Sequence, residues 1–159
     1  MFVAFWFTLI LDFILKKYYS YVLANGKSIS VIDGFLSLTL VHNPGAAFGL
    51  LKGKVFLFVL IALVTGVVIL VYLAMYRQEE PLVSWGLVLI LSGAVGNMID
   101  RVQYNYVIDY VLIYYKDWSW PVFNLADVVI NVGVGLIILD LVKDWKYRKY
   151  EGKSVSGSN

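Results

Sequence analysis

The longest uninterrupted apolar stretch runs from Val55 to Tyr76, 22 residues without a charge. As a helix rising about 1.5 Å per residue it extends roughly 33 Å, enough to cross a bilayer's hydrocarbon core. Residues 82–99 form a second uncharged run of adequate length. Residues 1–15 and 123–142 are also apolar but interrupted, the first by Asp12 and the second by Asp127 and Asp140. The pattern predicts an α-helical polytopic membrane protein with four transmembrane helices, at about 1–20, 55–76, 82–100 and 123–142, in one domain over 1–142.

The connections differ in character. Residues 29–41, "ISVIDGFLSLTLV", are rich in β-branched and aromatic residues, partly alternate, and carry a turn signal at Asp33-Gly34. They predict a small β element outside the bilayer, within about 25–54. This element runs into "HNPGAAFG", residues 42–49, whose small residues permit a tight turn or close backbone approach. "RQEEP", residues 77–81, reads as a short charged hairpin. The third connection, 101–122, is longer and aromatic, and its "DWSWP" predicts an interfacial segment. From Lys143 the chain turns basic and then Gly/Ser-rich, which predicts a tail over 143–159 that is disordered at its end.

Composition confirms the class. The chain is 60% hydrophobic and 16% aromatic, with a mean hydropathy of +0.77, outside the range of soluble domains. A secretory signal peptide is the competing reading of the N-terminus, but the basic leader and a small-residue cleavage site before Lys16 are both missing, so the first helix is expected to be retained. Cysteine is absent and histidine occurs once, which excludes disulfides and a cysteine nucleophile and disfavours a protein-built zinc site. Basic residues do not settle orientation, with seven on the first and third connections and six on the middle connection and tail. An even number of spans puts both termini on one side, and the basic tail favours the cytoplasm.

An ionisable residue at a helix centre in the bilayer costs about 2.5–3.5 kcal/mol on insertion scales, so each is a functional candidate. The candidates are Asp12, Asp100, Arg101, Asp109, Asp127 and Asp140. Asp140, beside Lys143 and Asp144, reads as reaching the headgroups. Asp12 and Lys16, four apart, read as a structural ion pair. Asn97, Asp100 and Arg101 share a helix face, with Gly93 and Gly96 allowing a neighbouring helix to come close. Asp109 in "YVIDYVL" and Asp127 in "FNLADVVI" are different, because neither has a basic residue within four positions. Asn124 precedes Asp127 by three and can cap the fourth helix, placing Asp127 in its first turn. If the third connection returns Asp109 to its side, the two carboxylates cannot both ionise readily, and the pair can run aspartic-protease chemistry. Ser/His, Ser/Lys and GxGD proteolytic designs lack their motifs here. Two rival readings use the same residues: a proton-coupled transporter with Asp109 and Asp127 as relay, and a non-enzymatic assembly subunit.

Five blocks in order, Asp12 with Lys16, "NPGAAFG", "SGAVGNMIDR", "VIDY" and "FNLADVVI", resemble lipoprotein signal peptidase, or signal peptidase II, over nearly all of the chain up to Val142. The resemblance implies a multi-pass protein of the bacterial cytoplasmic (inner) membrane with both termini cytoplasmic. It also implies an extracytoplasmic β-cradle and an active site near the outer leaflet. It implies cleavage of diacylglyceryl-modified prolipoproteins just before the lipidated cysteine, without metal or cofactor, and with no nucleic-acid partner. Membrane lipids and globomycin-type inhibitors are the other expected ligands. The catalytic aspartates of the family fall on Asp109 and Asp127, and supporting or substrate-binding positions fall on Asp12, Lys16, Asn43, Gly45, Asn97, Asp100, Arg101 and Asn124. On this reading Asn97 and Arg101 present donors to substrate while Asp100 steadies Arg101. Ser92, where the family often has glycine, and Pro44 depart from the pattern without touching a catalytic position.

Overall fold

The computed structural model describes residues 1–45, 53–76 and 79–156, with side chains described as far as Trp145. The chain order is α1 (Phe2–Val22), β1 (Ser28–Ile32), β2 (Leu36–Asn43), α2 (Val55–Tyr76), α3 (Pro81–Tyr104), β3 (Val107–Tyr115), β4 (Trp118–Ser119) and α4 (Leu125–Ser156). The protein is mostly helical with one small antiparallel sheet. Among the described residues three helices are long and apolar enough to cross a membrane: α2, α3, and α4 over Leu125–Trp145. Their lipid-facing character is plain in α2, where Phe56, Leu60, Val64, Val68 and Val71 are all exposed and Ile69 alone is buried. Such an arrangement suits lipid and would aggregate in water.

The helices end where local chemistry ends them. Pro81 occupies the first turn of α3, where its missing N–H costs no hydrogen bond. Asn105, at φ 64°, closes the same helix in a left-handed cap and donates its N–H to the Arg101 carbonyl at 3.0 Å. β1 and β2 form a hairpin, with Gly34 at φ +76° in the Asp33-Gly34 turn as the dipeptide predicts.

The sheet reaches beyond the expected β element: α3 continues to Tyr104, and β3 then pairs antiparallel with β2, placing Asp109 opposite Val41 and Val107 opposite Asn43. The strand order is β1-β2-β3-β4. β3 is buried from Val107 to Tyr110, so it lacks the apolar–polar alternation that betrays a half-exposed strand. α4 runs past Val142 into the tail, to Ser156. A helix already nucleated is extended cheaply by Lys, Arg, Tyr and Glu, which outweigh the Gly/Ser signal there. Residues 46–52 of the "NPGAAFG" region, Arg77 and Gln78 of the charged hairpin, and residues 157–159 lie outside the described residues.

α3 is the central helix and packs against α1, α2 and most extensively α4. Its buried face is mainly small and polar, with Ser84, Gly86, Ser92, Gly93, Gly96, Asn97 and Asp100 beside Val88 and Leu91. In lipid, helices gain little from hiding apolar surface from one another, so close backbone approach and interhelical hydrogen bonds hold the bundle. A Cβ on Gly86 would meet the Gly133 carbonyl at 2.6 Å, and one on Gly93 would meet the Ala126 carbonyl at 2.4 Å. Gly96 faces α1 instead, with Asp12 Oδ2 2.7 Å from the position a Cβ would take.

Gly133 and Gly135 therefore make a matched test. A Cβ at Gly133 would lie 2.4 Å from the Gly86 carbonyl, whereas one at Gly135 meets nothing within 4 Å. Gly133→Ala is expected to destabilise the α3–α4 seam by about 1–3 kcal/mol. Gly135→Ala is expected to be neutral or mildly stabilising. Thermal unfolding of both variants in detergent checks the difference.

Candidate active site

The polar residues gather where the sheet meets the ends of α1, α3 and α4. Asn124 immediately precedes α4 and caps it reciprocally with Asp127. The Asp127 N–H donates to Asn124 Oδ1 at 3.0 Å, and the Asn124 N–H donates to Asp127 Oδ2 at 3.2 Å. This capping box fixes Asp127 in the first turn, where the helix dipole favours negative charge. The buried Asn124 side-chain amide points the other way, donating to Asp109 Oδ1 at 2.7 Å and approaching Asn97 Oδ1 at 3.1 Å and the Ile108 carbonyl at 3.2 Å. One residue thus holds both carboxylates.

Asp109 projects from β3 and is 1% exposed. Asn43, at the end of β2, donates to its Oδ2 at 2.9 Å and accepts the Gly45 N–H at 3.0 Å. Burial is the main reason the Asp109 carboxyl is pushed up to about 7. The Asn43 and Asn124 amides oppose that rise, and the nearby Asp127 charge adds to it. Asp127 itself is only half-buried.

Behind Asp127 lies a second layer. Lys16 Nζ donates to Asp12 Oδ2 at 2.8 Å, to Asp100 Oδ2 at 2.9 Å and to Asn97 Oδ1 at 3.0 Å. An ammonium can only donate, so the Asn97 oxygen must face Lys16 and its NH2 must face away. That NH2 donates to Asp127 Oδ1 at 2.8 Å. Asp12 Oδ1 accepts the Ala126 N–H at 2.9 Å, tying α1 to the first turn of α4, and Asp100 Oδ2 accepts the Ile108 N–H at 3.1 Å, tying α3 to β3.

The expected pairing of Asp100 with Arg101 does not form. Adjacent helical residues point about 100° apart, so Asp100 turns inward to Lys16 while Arg101 faces a cavity. Arg101 donates to the carbonyls of Asn97, at 3.2 Å, and Gly45, at 3.1 Å, and its guanidinium lies 4.7 Å from the Phe58 ring centroid. The cavity measures about 920 Å³. Its polar lining includes Asn43, Asn97, Arg101, Asp109, Asp127 and Asn131, and its apolar lining includes Trp118, Trp120, Val128 and Val132. Asp140 lines none of it.

Sequence reasoning named Asp109, Asp127, Asn43, Gly45, Asn97, Arg101 and Asn124, which the structure gathers in one place, with Asp12, Lys16 and Asp100 behind them. It missed three contributors. Tyr110 is 3% exposed, accepts the Leu125 N–H at 3.2 Å and stacks on Tyr19 with centroids 4.5 Å apart. Burial raises its phenol above the ordinary range. Asn131 lines the cavity and donates to the Asp127 carbonyl at 2.8 Å. Its spacing of four from Asp127 in an apolar run was the available signal. Phe58 lay hidden in the uniform apolar run of α2.

Comparison with known proteins identifies the family of the chain. The signal peptidase (SPase) II family model matches residues 4–143. A lipoprotein signal peptidase of Symbiobacterium thermophilum is 46% identical over 114 residues, 72% of this chain and 75% of that protein. One from Clostridium novyi is 38% identical over 141 residues, covering 88% and 95%. A solved structure described as a bacterial membrane enzyme superposes with a TM-score of 0.84 at 32% identity, over 90% of this chain and 87% of that one. A second, described in the same way, gives a TM-score of 0.81 at 32% identity, over 90% and 92%. Matched along nearly its whole length in both sequence and fold, the chain belongs to the signal peptidase II family of aspartic peptidases.

Proposed function

We propose that this membrane peptidase removes the signal peptide of diacylglyceryl-modified prolipoproteins, cutting before the lipidated cysteine with Asp109 and Asp127 as its catalytic pair. The observation that carries this reading is Asn124, whose side chain and backbone N–H reach the two carboxylates that line one cavity. Asp127, with two N–H donors on its oxygens and a helix N-terminus behind it, is the base. Asp109, deeply buried, holds the proton. Asp127 takes a proton from a water molecule, whose oxygen attacks the scissile carbonyl while the Asp109 carboxyl donates a hydrogen bond to the carbonyl oxygen. Breakdown of the tetrahedral intermediate returns the proton from Asp127 to the departing cysteine nitrogen.

The remaining side chains position the substrate. Arg101 spends one N–H on each of two carbonyls, leaving donors for a substrate carbonyl or lipid ester. The apolar lining of the cavity suits acyl chains and an apolar signal segment, and a globomycin-type inhibitor is expected to occupy the same space. We place α1 as a fourth span, because the charges of Asp12 and Lys16 are turned inward while Phe2, Val3, Phe7, Ile10 and Ile14 face outward. Four spans leave both termini in the cytoplasm and the sheet at the outer leaflet.

Asp109→Asn and Asp127→Asn are each expected to lower cleavage of a lipidated prolipoprotein by about 10³-fold or more while the protein stays folded and wild-type activity resists chelators. A gel-shift assay on purified protein in detergent checks this, and retained cleavage in either variant would remove that residue from the pair. Activity is also expected to decline as pH rises through about 7, because Asp109 must keep its proton. The Asn43 amide lowers the Asp109 pKa, so Asn43→Ala should move that alkaline limb to higher pH. An unmoved limb would sever Asp109 from it. Arg101→Ala should leave folding intact and raise KM about tenfold or more, and Arg101→Lys should recover only part of the loss.

A further inference from the structure

Adjacent residues of a strand point to opposite faces, so His42 and Asn43 at the end of β2 serve different spaces. Asn43, with Val107 and Asp109 of β3, faces the catalytic cavity. His42, with Leu40 and Ile108, faces a separate cavity of about 410 Å³ closed by the ends of α1 and α3. This is the chain's single histidine, and the catalytic reading makes no use of it.

The polar lining of this second cavity is Lys17, Ser20, Asn25, His42, Tyr104 and Tyr106, and no carboxylate lines it. Among the described residues Lys17 forms no ion pair, its nearest recorded partner being the Phe13 ring at 5.4 Å. Ser20 Oγ is shielded from solvent and has no hydrogen-bond partner among the described residues. His42 stacks on Tyr106 with centroids 4.3 Å apart and planes within 24°, and Tyr106 stacks on Tyr104 at 5.8 Å. A cation and an imidazole thus stand over a hydroxyl-bearing wall, with one hydroxyl awaiting a partner. Native buried polar groups are rarely left so, and a ligand oxygen is a natural complement.

The location names the ligand. The cavity lies where two long helices finish and an aromatic cluster begins, the depth of the headgroup layer, where Lys side chains extend toward phosphate. We propose that it binds the phosphate of an anionic phospholipid, with Lys17 as counter-charge, His42 and the two tyrosines as donors, and Ser20 as a short-range donor. The bound headgroup would clamp the outer face of the sheet to α1 and α3 without entering the catalytic cavity.

Lipid-stripped protein in uncharged detergent, followed by thermal unfolding, tests this separately from cleavage. Phosphatidylglycerol should raise the midpoint well beyond the effect of diacylglycerol with the same chains, which can enter only the catalytic cavity, and glycerol 1-phosphate should act only at far higher concentration. Lys17→Gln, an exposed change, should weaken phosphatidylglycerol binding on its own, and Lys17→Gln with His42→Gln should weaken it about tenfold or more. Lys116→Gln, outside the cavity, should leave it intact. An equal response to diacylglycerol, or an unchanged response in the double variant, would overturn the proposal. Equal affinity for glycerol 1-phosphate would make this a soluble-phosphate site and overturn the lipid assignment.

Discussion

Much of the molecule depends on one buried ammonium. Lys16 is 3% exposed and is surrounded by Asp12, Asp100 and the Asn97 oxygen at 2.8–3.0 Å. A lone charge in lipid is expensive, and so is the loss of one partner from a buried pair, about 3–5 kcal/mol. The ammonium therefore requires α1 and α3 to meet at one register. The oxygens not facing Lys16 carry that requirement outward, since Asp12 receives an N–H from the first turn of α4 and Asp100 receives one from β3. Four elements are thereby located relative to a single nitrogen. Glycine at position 96 is the steric condition for this, because any side chain there would strike Asp12.

The same nitrogen gives the site its direction. Because Lys16 cannot accept a hydrogen bond, it orients the Asn97 amide, and the Asn97 amide presents donors to Asp127 rather than acceptors. Asn124 is oriented in turn, since its oxygen is committed to the Asp127 N–H and leaves its NH2 for Asp109. Each amide in this chain can therefore be assigned from its neighbours. The positions sit on helix ends and a buried strand rather than on free loops, which suits a site requiring sub-ångström placement.

Parts of this were legible in the chain and parts were not, for a definite reason. Interactions local in sequence can be read from spacing: Asp12 with Lys16 at four, Asn124 with Asp127 at three, the uncharged run of α2, and the turn at Asp33-Gly34. Interactions distant in sequence cannot. Asp100 was assigned to its neighbour Arg101 because proximity along the chain is all that spacing offers, while its true partner, Lys16, lies 84 positions away. β3 went unread because burial on both faces erases alternation, leaving an apolar run in which Asp109 looked like an interruption rather than the purpose of the strand. The resemblance to a known family supplied the site residues that spacing alone left as a moderate pairing of two acids.

The inequality of the two aspartates follows from where the chain places them. A strand buried on both faces delivers Asp109 into a dry setting, 1% exposed, and desolvation works directly against its ionisation. A helix start delivers Asp127 to a half-buried position, with N–H groups of Asn97 and Asn124 on its two oxygens. Exchanging their elements would exchange their environments. The fold thus gives two chemically identical groups different surroundings, and secondary structure is what sets them apart. Arg101, on the same cavity wall, gives its hydrogen bonds to the Asn97 and Gly45 carbonyls rather than to either carboxylate.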